Sequence, residues 1–156
     1  MQTVGATLDF TVTHVPEQTF AYVVRRVAPE QIGEFVRGAS GRVELFAQGH
    51  GGVLGPAMSV ASPPDEDGAL ALEVGFEVLP GTPAEPPIEV RTLPATVAIV
   101  HRHLGAYETL DGIYYARLFS EAHDRGFTPV SAPRERYLGD DEETGEPVTE
   151  IVWPIS

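Results

Sequence analysis

The stretch PRERYL, residues 133–138, sets Glu135 and Tyr137 two residues apart. On a strand, period-two geometry puts both side chains on one face. A carboxylate beside an aromatic ring suits an organic cation. The ring supplies a quadrupole and apolar area, and the carboxylate supplies the counter-charge. A second carboxylate, Glu150, stands in TEIVWPI, residues 149–155. Ile151, Trp153 and Ile155 alternate there as on a half-buried strand, with Glu150 on the other face beside Val152 and Pro154. If RERYL and TEIVWPI form a hairpin around GDDEETGEP, Glu150 lies on the strand next to Glu135. The strand register decides whether the two acids share a face; sharing is the working expectation.

Aromatic residues add candidate walls. Tyr107, Tyr114 and Tyr115 surround a helix-like segment, and Trp153 is the only tryptophan. A buried tyrosine needs a partner for its hydroxyl, which suits a pocket lining. The candidate ligand-binding set is Glu135, Tyr137, Glu150, Tyr107, Tyr114 and Trp153. Tyr114 also falls on the apolar stripe of the helix, and Trp153 reads as core within reach of a ligand. His101 and His103 share a strand face at a spacing compatible with metal. Arg102 stands between them and no third ligand is near, so no metal is expected, and no cofactor either. There is no GxSxG elbow, HExxH pair or phosphate-cradling glycine loop. The acidic turn 140–146 lacks EF-hand spacing.

The elements that must position these residues are written twice. Offset the chain by 77 positions and Ala21 meets Ala98, Val23 meets Val100, and Arg25 meets Arg102. Gly49 then meets Gly126, Glu73 meets Glu150, and Phe76 meets Trp153. The halves, about 7–79 and 88–155, are joined by PGTPAEPP, residues 80–87, a linker composition. Each reads strand–strand–helix–strand–strand. In the first half the strands are 8–12, 20–27, 55–60 and 69–78, and the helix carries Ile32, Phe35, Val36, Ala39 and Val43. In the second they are 88–91, 96–103, 134–138 and 149–155, and the helix carries Leu110, Ile113, Tyr114, Leu118 and Ala122. Gly33, Gly38 and Gly41 each cost about 1 kcal/mol relative to Ala in a helix. The first helix is therefore expected to be short, bent or mobile. Gly49 and Gly126 are expected to end the two helices in the left-handed region. The fold class is α+β: one domain over 1–156, mainly antiparallel sheet, two repeats about a pseudo-two-fold axis, one long helix each. The groove between the repeats is the natural pocket.

The chain has 156 residues, enough for one cored domain, and 42% are hydrophobic. Ten basic residues face 23 acidic ones, a net charge of −13. Neutralising phosphates needs Lys and Arg, so direct nucleic-acid binding is excluded. Acidity attracts cations instead. Without cysteine there are no disulfides and no thiolate chemistry, which fits a cytoplasmic protein. MQTVGATLDF has neither a basic n-region nor a long apolar run, so no signal peptide or membrane span is expected.

The order VEVRTLPATVAIVHRHLGAY, helix, Gly, PRERYL, TEIVWPI resembles the gyrase-inhibitor-like (GyrI-like) effector-binding domain. That domain also forms the drug-binding half of multidrug regulators of the BmrR and Rob types. Its motifs are strongest in residues 88–155; in the first half RRVAPEQI stands where a second RHLGAYETL would fall. The resemblance implies an α+β fold of two related modules that binds lipophilic, often cationic, small molecules. It implies functional acids in the ERY-like and TEI-like motifs, here Glu135 and Glu150. The regulators carry a separate DNA-binding domain, and the repeat occupies nearly all of this chain, so a stand-alone small-molecule binder is expected. Two alternatives stay open. One is a hydrolase of strained electrophiles, in which Glu135 or Glu150 activates water or protonates a ring with Tyr137 or Tyr107 as donor. The other is an acidic protein-interaction module of the gyrase-binding type. A protein partner or a homodimer also stays open.

Overall fold

The computed structural model describes residues 8–156, apart from the side chain of Glu108. Residues 1–7, all within the expected domain and the last of them at the start of the expected first repeat, lie outside the described residues. The strands are β1 (Thr11–Val15), β2 (Gln18–Val27), β3 (Met58–Ala61), β4 (Leu70–Val78), β5 (Glu89–Leu93), β6 (Thr96–Leu104), β7 (Arg134–Asp140) and β8 (Pro147–Pro154). Helix α1 (Ile32–Gln48) falls between β2 and β3, and α2 (Gly112–Asp124) between β6 and β7. A short 3-10 turn precedes each helix, at Pro29–Gln31 and Tyr107–Thr109. The element order matches the expected strand–strand–helix–strand–strand, written twice.

All eight strands form one antiparallel sheet in the order β1-β6-β8-β7-β3-β4-β2-β5. This order is a palindrome: β3-β4-β2 on one side answers β7-β8-β6 on the other. The outer strands are exchanged. β1 pairs with β6 of the second half, and β5 pairs with β2 of the first. The halves meet at β3 and β7 in three residue pairs, Met58–Arg136, Ser59–Glu135 and Val60–Arg134.

Both helices cover the same sheet face. Phe35, Ala39, Val43 and Ala47 of α1 pack on Ala21, Val23, Val74 and Phe76. Tyr114, Leu118 and Ala122 of α2 pack on Ile99, Ile151 and Phe10. The other face carries a small cluster of Phe20, Tyr22, Met58 and Leu93. There Arg134 of β7 donates to Gln18 of β2 at 3.1 Å, although β3 and β4 lie between them. The sheet therefore curls toward this face.

Three expectations are corrected. Helix α1 is neither short nor broken: it runs 17 residues, against 13 for α2. Gly33, Gly38 and Gly41 all lie on its exposed side. Their cost of about 3 kcal/mol in total is outweighed by burying Phe35 and Val43, at about 1.5–3 kcal/mol each. The left-handed glycines after α1 are Gly51 and Gly52, at φ 95° and 85°, not Gly49, at φ −79°. Gly126 keeps the expected role at φ 91°. The two ends then match, because Gly52 N–H and Phe127 N–H close on the carbonyls of Ala47 and Ala122. Third, the 77-residue offset holds in β4 and β8 but slips by one in β2 and β6. Ala21 faces Phe76, whereas Ile99, not Ala98, faces Trp153. A one-residue slip moves every side chain to the other face.

Gly75 of β4 is packed so closely on β2 that a Cβ there would stand 1.8 Å from the Ala21 carbonyl oxygen and 2.7 Å from Tyr22 Cα. Backbone atoms cannot give way cheaply. Gly75→Ala should cost at least about 3 kcal/mol and lower Tm by roughly 10 °C in a circular-dichroism melt. A Tm within about 2 °C of the parent would contradict this packing.

Candidate functional site

Strand β7 carries Arg134, Glu135, Arg136 and Tyr137 on alternating faces. Glu135 and Tyr137 share the helix-covered face, since Glu135 lies opposite Ile151 and Ser59, and Tyr137 opposite Thr149. Just after Tyr137 the register slips, and Gly139 at φ 91° accommodates it. Above this face, Asp111 caps α2 by accepting from the Tyr114 backbone N–H at 2.9 Å. That bond sets the first turn, so Tyr114 and Tyr115 both reach the sheet.

The Glu135 carboxyl is the centre of the arrangement. Tyr115 Oη donates to its Oε2 at 2.5 Å, and Tyr137 Oη donates to its Oε1 at 3.1 Å. Ser59 Oγ lies 2.7 Å from Tyr137 Oη. Since the Tyr137 proton goes to Glu135, Ser59 is the donor in that contact. Among the described residues, no Arg or His forms an ion pair with Glu135. Burial pushes its pKa up, and the two phenol hydrogen bonds only partly offset this. Burial beside that acid also pushes the Tyr115 and Tyr137 hydroxyls well above their ordinary range, so they stay donors.

Aromatic rings enclose the carboxyl. Tyr107, half exposed, stands edge-on to Tyr137 at 5.5 Å. Tyr115 is edge-on to Tyr114 at 5.1 Å and to Trp153 at 5.6 Å. Trp153 donates its indole N–H to the Ser131 carbonyl at 2.7 Å, which fixes the ring. The two histidines belong to this wall. His101 Nδ1 and Tyr114 Oη are 2.5 Å apart, and His103 Nε2 lies 2.8 Å from Thr109 Oγ1. Thr109 donates its own proton to the Ala106 carbonyl, so His103 carries its proton on Nε2. Burial lowers the pKa of both histidines, keeping them toward neutral.

Glu135, Tyr137, Tyr107, Tyr114 and Trp153 thus lie together. Glu150 does not. In the register it faces Arg136, not Glu135, so it points to the opposite side of the sheet. There it is ion-paired with Arg136 and lies 3.8 Å from Arg102. The expectation that the two acids share a face fails because β7 and β8 pair with even residues opposite even ones. Two contributors stand outside the expected ligand-binding set, Tyr115, named only as a candidate wall, and Ser59. Tyr115 follows the stripe residue Tyr114 and, 100° round the helix, still reaches the sheet. Ser59 comes from the other half of the chain, and no local signal marks it.

A family model for the GyrI-like small molecule binding domain matches residues 8–156. None of the curated proteins matches the chain. The EcmrR C-terminal domain superposes with a TM-score of 0.71 at 18% identity, over 96% of this chain and 98% of that one. In the EcmrR–DNA complex the TM-score is 0.75 at 18% identity over 95% of this chain, which spans only 57% of that chain. SAV2435 bound to tetraphenylphosphonium matches with a TM-score of 0.60 at 14% identity, over 96% of this chain and 94% of that one. A hydrolase from Listeria innocua matches with a TM-score of 0.64 at 13% identity, over 98% and 94%. At such identities these likenesses speak to fold alone. The family match, spanning every described residue, is the specific one: the chain belongs to the GyrI-like small-molecule-binding domains.

Proposed function

We propose that this domain captures a lipophilic organic cation in the aromatic cage around Glu135. The observation that carries the reading is a deeply set carboxyl that accepts from two phenols and has no cationic partner among the described residues. Phenols stabilise an anion without cancelling its charge, so the attraction is left for a ligand. Tyr115, Tyr137, Tyr107 and Trp153 offer ring faces and apolar area to a cation's substituents. The tetraphenylphosphonium bound by SAV2435 is a ligand of this class. Glu150 is left out of the site, since its charge is already answered by Arg136.

The same observation supports a second reading. A carboxyl with a raised pKa is a proton donor poised for general acid catalysis on a strained electrophile. Turnover of an epoxide that disappears in Glu135→Gln would favour it over simple capture.

Titration with tetraphenylphosphonium, followed by Trp153 fluorescence, tests the capture reading. A charged contact is worth about 1.5–3 kcal/mol, so Glu135→Gln should weaken binding roughly ten- to a hundred-fold. Glu150→Gln should bind like the parent. Tetraphenylborate, similar in shape and opposite in charge, should bind far more weakly. Equal affinity for the two ions would refute the role given to the carboxyl.

The raised pKa of Glu135 adds a pH dependence. A neutral acid must lose its proton to solvent to pair with a cation, so affinity should rise with pH until Glu135 ionises in the free protein. Stability runs the other way. A raised acid has no cost below its unfolded pKa; the cost grows as pH rises and is complete above the folded pKa. Glu135→Gln should therefore melt with the parent near pH 4 and above it at pH 8. A Tm difference independent of pH would show that the carboxyl does not titrate as its burial requires.

A further inference from the structure

A cleft of about 490 Å³ opens between β2 and α1, on the helix-covered face but in the other half of the chain from Glu135. Its floor is Val23, Phe35 and Ala39, all buried, and its rim includes Arg25, Arg42 and Glu34. The space has a local cause. The buried stripe Ala39, Val43, Ala47 of α1 answers Tyr114, Leu118, Ala122 of α2, counted from the carbonyls that close each helix. Tyr114 fills the wedge between α2 and β6 and reaches His101. At the matching place α1 offers only the Ala39 methyl. Val23 and Arg25 face Val74 and Leu72, as His101 and His103 face Ile151 and Thr149. The first half thus has an open wedge with arginine where the second half has a filled one with histidine.

The arginines are uncommitted. The chain has no lysine, and its ten arginines face 23 acids, so an unpaired arginine does not reflect a shortage of carboxylates. Arg26, also on the cleft, is held by Asp65 and Asp67. Arg25 and Arg42 form no ion pair among the described residues, not even with Glu34. The Arg25 guanidinium lies over the Phe35 ring, 5.2 Å from its centroid. Guanidinium forks bind carboxylates and sulfonates well, and the floor is apolar. The volume lies in the range of small-molecule sites.

We propose that this cleft binds an amphipathic organic anion, its carboxylate or sulfonate on Arg25 and Arg42 and its apolar body on Phe35, Val23 and Ala39. The domain then holds two sites of opposite polarity, one in each half. The inference does not depend on what Glu135 binds.

The test is a fluorescence titration of the full chain with 8-anilinonaphthalene-1-sulfonate. Arg25→Gln and Arg42→Gln, both at exposed positions, should each weaken binding about tenfold or more, because each removes a charged contact. Ala39→Tyr should fill the wedge and abolish binding. Glu135→Gln and saturating tetraphenylphosphonium should leave dye affinity unchanged. Circular dichroism confirms that each variant is folded, and the two arginine variants decide the matter if Ala39→Tyr does not fold. Dye affinity indifferent to both arginines would overturn the proposal. So would displacement of the dye by tetraphenylphosphonium, or equal affinity for the uncharged N-phenyl-1-naphthylamine.

Discussion

The sheet is continuous across its middle through only three residue pairs, between β3 and β7. By contrast β2 and β4 share nine pairs, and β6 and β8 share seven. The candidate site stands on this short ladder, since Ser59 and Glu135 face each other across it. Side chains on both faces support it. On the helix side, Ser59 holds Tyr137, two residues along from Glu135. On the curled side, buried Arg134 reaches Gln18, which in turn donates to Glu77 at 3.0 Å. The exchanged strands add a restraint that acts at a distance. Separating the halves would break β1 from β6 and β5 from β2 as well as the junction itself. The position of Glu135 relative to Ser59 is thus set by ladders at both ends of the sheet.

Two glutamates in similar sequence settings show how strand parity sorts electrostatics. Glu150 falls on the face of Arg136 and Arg102 and becomes one member of an ordinary ion pair. Glu135, one residue off that parity, falls under α2 among phenols. An ion pair there would have cancelled the charge, and an apolar wall would have left the acid without hydrogen bonds. Tyrosine does neither: each ring adds apolar area, and each hydroxyl stabilises the carboxylate without neutralising it.

Much of the fold was legible because its signals are local. Alternation in TVAIVHRH and TEIVWPI marks strands, and Tyr114, Leu118 and Ala122 mark a helix at whatever distance the chain later packs. Pairing is a long-range property, and there the reading stopped. Nothing in residues 134–155 shows that Glu150 lies opposite Arg136. Nothing in residues 8–15 shows that β1 joins the other half. The β2–β6 offset failed for a related reason: residue-type matches such as Arg25 with Arg102 score identity, while the sheet selects face. Three glycines, Gly49, Gly51 and Gly52, follow α1 closely, and only backbone geometry tells that the last two, not the first, are left-handed. The length of α1 was misjudged by weighing its glycines without knowing that all three face solvent.

Tyrosine in the cage has a consequence that phenylalanine would not. Each buried hydroxyl must find a partner, and the partners recruit residues with no other evident purpose. Tyr114 requires His101, Tyr137 requires Ser59 as well as Glu135, and Tyr115 requires Glu135. His103 in turn leans on Thr109, in the 3-10 turn that also carries Tyr107. These bonds form three separate groups, and edge-on ring contacts of Tyr114 with Tyr115 and with His103 join them. In the first half the corresponding positions are Val23 and Ala39, which need no partners and build no such network. The wedge there stays open because the Ala39 methyl is too small to fill it.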